Sequence, residues 1–156
     1  MRQTTVVALM LAGVFVLLTA GAVASASLPA ESLGRMPFRF LCHGIEERCL
    51  TIGEGRMAVC SRCFGIYAGA LAGIALWLVT RRAVPVALLV VMAIPLLIDG
   101  GTQAVGLRES TNLLRLATGV PAGASLLFLA LQWLETPRLS ITSASVRESG
   151  QKGVKP

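Results

Sequence analysis

The four cysteines and the single histidine of this chain all fall between Cys42 and Cys63. Cys60-Ser61-Arg62-Cys63 has the spacing that lets two sulfurs converge on one atom, or on each other. With Cys42-His43 upstream it resembles the paired knuckles of a tetrahedral zinc site, where thiolates and imidazole suit the softness of the metal. Cys42, His43, Cys60 and Cys63 are therefore the candidate ligands for zinc or another soft divalent metal. The adjacency of Cys42 and His43 counts against the full set, because neighbours seldom both reach one ion without distortion. A redox reading uses Cys42 with Cys49 and Cys60 with Cys63. A C-x-x-C at a helix start, beside Arg62, sits in a positive environment that favours the thiolate needed for disulfide exchange. A lipid quinone would then be the electron partner. Two passive disulfides, or idle thiols, form a third reading, and the residues alone leave the three open with the metal first.

The elements that must carry these residues are set by hydropathy. Of 156 residues, 54% are hydrophobic and 14% charged, with a mean hydropathy of +0.73. Such a composition excludes a soluble globule and a disordered chain. Four apolar runs, at residues 6–26, 64–80, 83–98 and 113–134, are each near the length a helix needs to cross ~30 Å of hydrocarbon. The fold class is thus an all-α membrane protein of four transmembrane helices, with the Cys/His loop between the first and second. Residues 1–27 form the first helix or, given the basic start and the small-residue ending Ala22-Val23-Ala24-Ser25-Ala26, a cleavable signal. Residues 28–135 form the loop and a three-helix membrane domain, and 136–156, rich in Ser, Thr and basic residues, a disordered tail. Within the loop, Leu50-Thr51-Ile52 and Met57-Ala58-Val59 flank Gly53-Glu54-Gly55, which predicts a short hairpin bringing Cys49 beside Val59 and Cys60. Phe38-Arg39-Phe40-Leu41 suits the headgroup layer.

If the helices alternate in direction, one membrane face collects nearly every unusual polar residue. Besides the cysteines and His43 it gathers Glu46, Arg48, Arg62, Asp99, Gln103, Glu109, Asn112 and Arg115. Lys and Arg divide evenly between the two faces, so their number does not orient the chain. The two-residue Arg81-Arg82 joint is a retention signal for its own side, and both readings of the first run send the loop out. The loop is therefore expected outside the cytoplasm, in a prokaryotic cytoplasmic membrane. The basic residues are scattered between apolar runs and form no stripe, so the lipid bilayer, and no nucleic acid, is the expected partner.

Asp99 follows Ile94-Pro95-Leu96-Leu97-Ile98 and needs a partner at the apolar boundary, for which Arg115 is the candidate. Ser110 or Thr111 is placed to cap the fourth helix. Gly65, Gly69 and Gly73 make one small-residue stripe, Gly119 and Gly123 another; these are packing surfaces and a possible route to a homo-oligomer.

Taken in order, Cys42-His43-Gly44 with Glu47-Arg48, Cys60-Ser61-Arg62-Cys63-Phe64-Gly65-Ile66-Tyr67, Ile98-Asp99-Gly100 with Gln103, and Glu109-Ser110-Thr111-Asn112 with Arg115 and Thr118-Gly119 resemble the small prokaryotic membrane proteins classed as domain of unknown function 2085. The resemblance covers about Phe38 to Gly123. It implies a polytopic membrane protein and no established activity, and Cys42, His43, Arg48, Cys60, Arg62, Cys63, Gly65, Tyr67, Asp99 and Arg115 match its pattern. Cys49 departs from it, where a small polar residue is expected, and so does Gly44, where a polar amide is more usual. The departure at Cys49 weakens the two-disulfide reading and leaves the metal reading untouched. The sequence therefore predicts a membrane protein with a Cys/His metal cluster at one face. Its rivals are a quinone-coupled thiol oxidoreductase and a small transporter using Asp99 and Arg115.

Overall fold

The computed structural model describes residues 2–29 and 31–151, excepting the side chains of Arg2 and of 136–151. Four helices are long and apolar enough to span a membrane: α1 (Arg2–Ala24), α3 (Ser61–Thr80), α4 (Val86–Ala104) and α5 (Asn112–Gln151). A short helix, α2 (Met36–Leu41), and a hairpin of β1 (Cys49–Ile52) and β2 (Gly55–Cys60) occupy the segment between α1 and α3. The expected tail, 136–156, lies outside the described side chains, and 152–156 outside the described residues altogether.

Small residues decide how the helices meet. In lipid, apolar burial does not drive helices together, so close van der Waals contact must. Gly65, Gly69 and Gly73 of α3 lie against the α5 backbone at Leu116, Val120 and Ala124, and Gly119 and Gly123 lie against α3 at Arg62 and Ile66. The two stripes face each other within one chain. They are the α3–α5 contact, which is the packing role expected of them. At the far end, Ala8, Ile74, Trp77, Leu89, Phe128 and Leu131 close a core drawn from all four long helices. By contrast, Leu88, Val90, Val91, Leu97 and Ile98 of α4 are exposed, as a lipid-facing helix requires.

The end opposite the cysteines is tied by Arg81. It lies 4.4 Å from the Trp77 ring centroid, donates to Thr5 Oγ1 at 3.1 Å and meets Glu135 at 3.9 Å. The start of α1, the α3–α4 joint and residue 135 of α5 therefore share one end, as alternation of four helices demands.

The hairpin forms as expected. Cys49 pairs with Cys60 and Ile52 with Gly55. Gly53 takes a φ of +61° while Glu54 does not go positive, the pattern of a two-residue turn with glycine in its first central position. A second cluster holds this hairpin to α1: Ala22 and Ala26 pack with Phe38, Cys42, Met57 and Val59. Ser25 Oγ accepts from the Ala58 amide at 2.8 Å. Arg35 Nη1 donates to the carbonyls of Ser25 (3.0 Å), Leu28 (3.3 Å) and Arg56 (3.0 Å), stapling helix, loop and strand. Phe38 is buried in this cluster, whereas Phe40 and Leu41 are exposed, so α2 presents apolar groups on its outer side.

The helix that carries the third apolar run outlasts it: α4 continues through Asp99-Gly100-Gly101 to Ala104, since an α-helix keeps backbone groups bonded where water is scarce. The linking loop is therefore 105–111.

Asp99 is not the partner of Arg115. It is paired with Arg62 and, at 3.0 Å, with Arg108. Arg115 turns instead to Asn112 Oδ1 at 2.9 Å, its neighbour one turn earlier on α5.

Candidate metal centre

Cys60 is both the last residue of β2 and the N-cap of α3, and its sulfur accepts from the Cys63 amide at 3.5 Å. That capping bond is what the C-x-x-C spacing becomes when it opens a helix: the fourth residue reaches back to the first. Cys42 follows α2, and its sulfur accepts from the Cys60 amide at 3.2 Å. The Sγ atoms of Cys42, Cys60 and Cys63 consequently lie within 4.8 Å of one another. Two of the three sulfurs accept backbone N–H bonds, which favour negative charge on sulfur.

The electrostatics separate the cysteines outside the membrane spans. Thiols of Cys60 and then Cys63 donate to the Cys42 sulfur and, with the Cys60 and Gly44 amides, push its pKa down to about 2 against the opposing effect of burial. Burial above all, with repulsion from charge in the neighbouring sulfur cluster, pushes Cys49 up to about 11. Its thiol points away and donates to the Ile45 carbonyl at 3.2 Å. At pH 6 the hydrogen bonds to its sulfur favour negative charge on Cys42, whereas burial keeps Cys49 protonated. In metal-free protein, limited iodoacetamide labelling at that pH is expected to modify Cys42 well before Cys49. Peptide mapping that finds the reverse order would contradict this assignment.

His43 is exposed and is not one of the three converging ligands, although it lines the same cavity. That cavity, about 310 Å³, is bounded by the three cysteines, Arg48, Arg62, Gln103 and Arg115, with Leu41 and Ile45 as apolar walls. Of the polar face expected from alternation, Arg48, Arg62, Gln103 and Arg115 thus share one hollow with the cysteines. Arg62 reaches across it to Asp99 and, at 3.2 Å, to Gln103 Oε1. Asn112 Nδ2 donates to the Glu47 and Cys49 carbonyls at 3.2 and 3.4 Å, holding the start of α5 to the hairpin. Thr111 Oγ1 caps α5, accepting from Leu114 at 3.3 Å. Glu109 is exposed and borders an adjacent cleft with Arg48, Asn112 and Arg115. Glu46 pairs with Arg56 at 3.2 Å and borders a second cleft with Cys42 and His43.

Sequence reasoning missed Arg108 and Arg35. Arg108 lies in a loop with no periodicity to orient it. Arg35 acts through carbonyls, which every residue has and no pattern marks.

A family described as Predicted membrane protein (DUF2085) matches residues 42–129. An uncharacterized protein of Methanothermobacter thermautotrophicus is 44% identical over 97 residues, covering 60% of this chain and 87% of that protein. One of Methanocaldococcus jannaschii is 38% identical over 99 residues, 60% of this chain. The match takes in 64% of that relative's length. No solved structure matches.

Proposed function

The chain belongs to the membrane protein family described as Predicted membrane protein (DUF2085), and from that premise we propose that Cys42, Cys60 and Cys63 hold a zinc-like divalent ion at one face of the bilayer. The observation that carries the reading is the convergence of three sulfurs within 4.8 Å. Sulfurs around a tetrahedral zinc stand about 3.8 Å apart, given Zn–S bonds of about 2.3 Å. Small side-chain adjustments close the difference. The metal would take the place of the thiol protons now shared with the Cys42 sulfur, and the amides of Cys60 and Cys63 would stabilise the bound thiolates. Three protein ligands leave a fourth position facing the cavity, for which His43 is the nearest candidate in sequence. The role is structural or sensing. An extracytoplasmic position for the cluster is supported by Arg81-Arg82 at the opposite end.

The runner-up, thiol–disulfide exchange with a quinone, draws on the same C-x-x-C at the start of α3. It is disfavoured as a two-pair relay because Cys49 faces Ile45 and keeps its proton. A transporter built on Asp99 and Arg115 is disfavoured by the engagement of both Asp99 oxygens with other arginines.

Metal analysis of the detergent-purified full chain is expected to give about one equivalent in wild type and in Cys49→Ser, and almost none in Cys60→Ser or Cys63→Ser. Wild-type protein free of metal and carrying a Cys60–Cys63 disulfide would overturn the proposal in favour of the runner-up.

A further inference from the structure

Charge in the cavity does not balance. Arg115 is 6% exposed and has no carboxylate partner among the described residues; its one side-chain bond is to neutral Asn112. Arg48, on the same wall, has no ion pair there either, and Asp99 is already shared between Arg62 and Arg108. A buried guanidinium without a counter-charge is costly, the more so with like charges beside it. A divalent ion on three thiolates would carry only a single net negative charge, which leaves guanidinium charge over. Three buried donors without acceptors lie here as well: Arg62 Nε, Gln103 Nε2 and Arg115 Nε. All three line the one cavity, and they come from α3, α4 and α5 respectively.

We propose that this cavity receives a phosphate-type oxoanion, with Arg62, Gln103 and Arg115 as its donors and Arg48 supplying further positive charge. A planar carboxylate is best met by two parallel bonds from one guanidinium. Donors arriving from three helices suit an anion whose oxygens point in several directions. A volume of about 310 Å³ accommodates such a group with room for a substituent against Leu41 and Ile45. The phosphate is carried either by a free anion or by a lipid headgroup, since the cavity opens at the membrane face. The site stands on the arginines and the amide, whether or not the thiols hold an ion.

The test is calorimetric titration of the detergent-solubilised full chain with inorganic phosphate and, separately, with short-chain phosphatidylglycerol. Saturable binding of inorganic phosphate identifies a free oxoanion as the ligand; binding of the lipid alone identifies the headgroup. In either case Arg115→Gln and Gln103→Leu are expected to weaken binding about tenfold or more, while Arg56→Gln, on the far side of the hairpin, leaves it unchanged. If Arg115→Gln does not fold, Arg115→Lys and Gln103→Leu carry the comparison. Absence of saturable binding for both probes, or equal binding by wild type and the cavity variants, overturns the proposal. Metal content measured on the same samples separates a lost anion site from a lost thiolate site.

Discussion

Gly69→Leu is expected to destroy the fold of this chain. A Cβ at Gly69 would fall on the Val120 carbonyl of α5, so the obstacle is backbone against backbone and no rotamer relieves it. The side chain could enter only if α3 and α5 moved apart along the whole run from Gly65 to Gly73, forfeiting the contacts that replace hydrophobic drive in lipid. Ordinary overpacking costs about 1–3 kcal/mol; here the loss should exceed about 3 kcal/mol, because the neighbour cannot yield. Leu71→Ala, which trims a half-buried side chain on the same helix, should cost about 1–2 kcal/mol. Thermal unfolding in detergent, with the monodisperse fraction by size exclusion, decides. Equal tolerance of the two changes would mean that the glycine contact is not what holds the bundle.

Asp99→Leu should be nearly as damaging for a different reason. Asp99 is 3% exposed and holds Arg62 of α3 and Arg108 of the following loop at the same time. Removing the carboxylate strands Arg62, whose side chain is 23% exposed, while Arg108, about half exposed, can turn to water. Breaking one side of a buried pair typically costs about 3–5 kcal/mol, most of it from the charge left behind. The cost should therefore fall when that charge is removed as well: Asp99→Leu with Arg62→Met should recover much of the stability lost by Asp99→Leu alone. A double variant as unstable as the single one would show that the carboxylate acts through something other than Arg62.

The parts of this architecture that were legible beforehand are those governed by long-range repetition. Four runs of apolar residues dictate four spans, and their alternation alone brings Cys60, Asp99 and Arg115 to one face. The hairpin was legible because Gly53 sits between two short β-prone stretches. The pairing of Asp99 was not. Arg62 and Arg115 are both one turn or less from the same membrane face, and choosing between them requires the rotation of each helix about its axis, which the glycine stripes set. Those stripes turn α3 and α5 toward each other and leave Arg62 pointing at α4. The end of α4 was not legible from the apolar run, because Gly100-Gly101 weakens a helix in water but less so where its backbone has no other partner. At the candidate metal centre the three cysteines were legible from their spacing, and the doubt raised by the adjacency of Cys42 and His43 agrees with the exposure of His43. The exposed position of its side chain depends on the backbone leaving α2 through Cys42 and Gly44, the latter with a φ of +58°.

Cys60 ends one element and begins another with nothing between. Most junctions between an extramembrane segment and a spanning helix contain a few residues that can bend, and those residues absorb any displacement of the outer part. Here a single peptide joins strand to helix, so the hairpin and α3 behave as one lever with its fulcrum at the sulfur cluster. Whatever tilts β2 must tilt the first turn of α3 with it, and the glycine contact would carry that tilt on to α5.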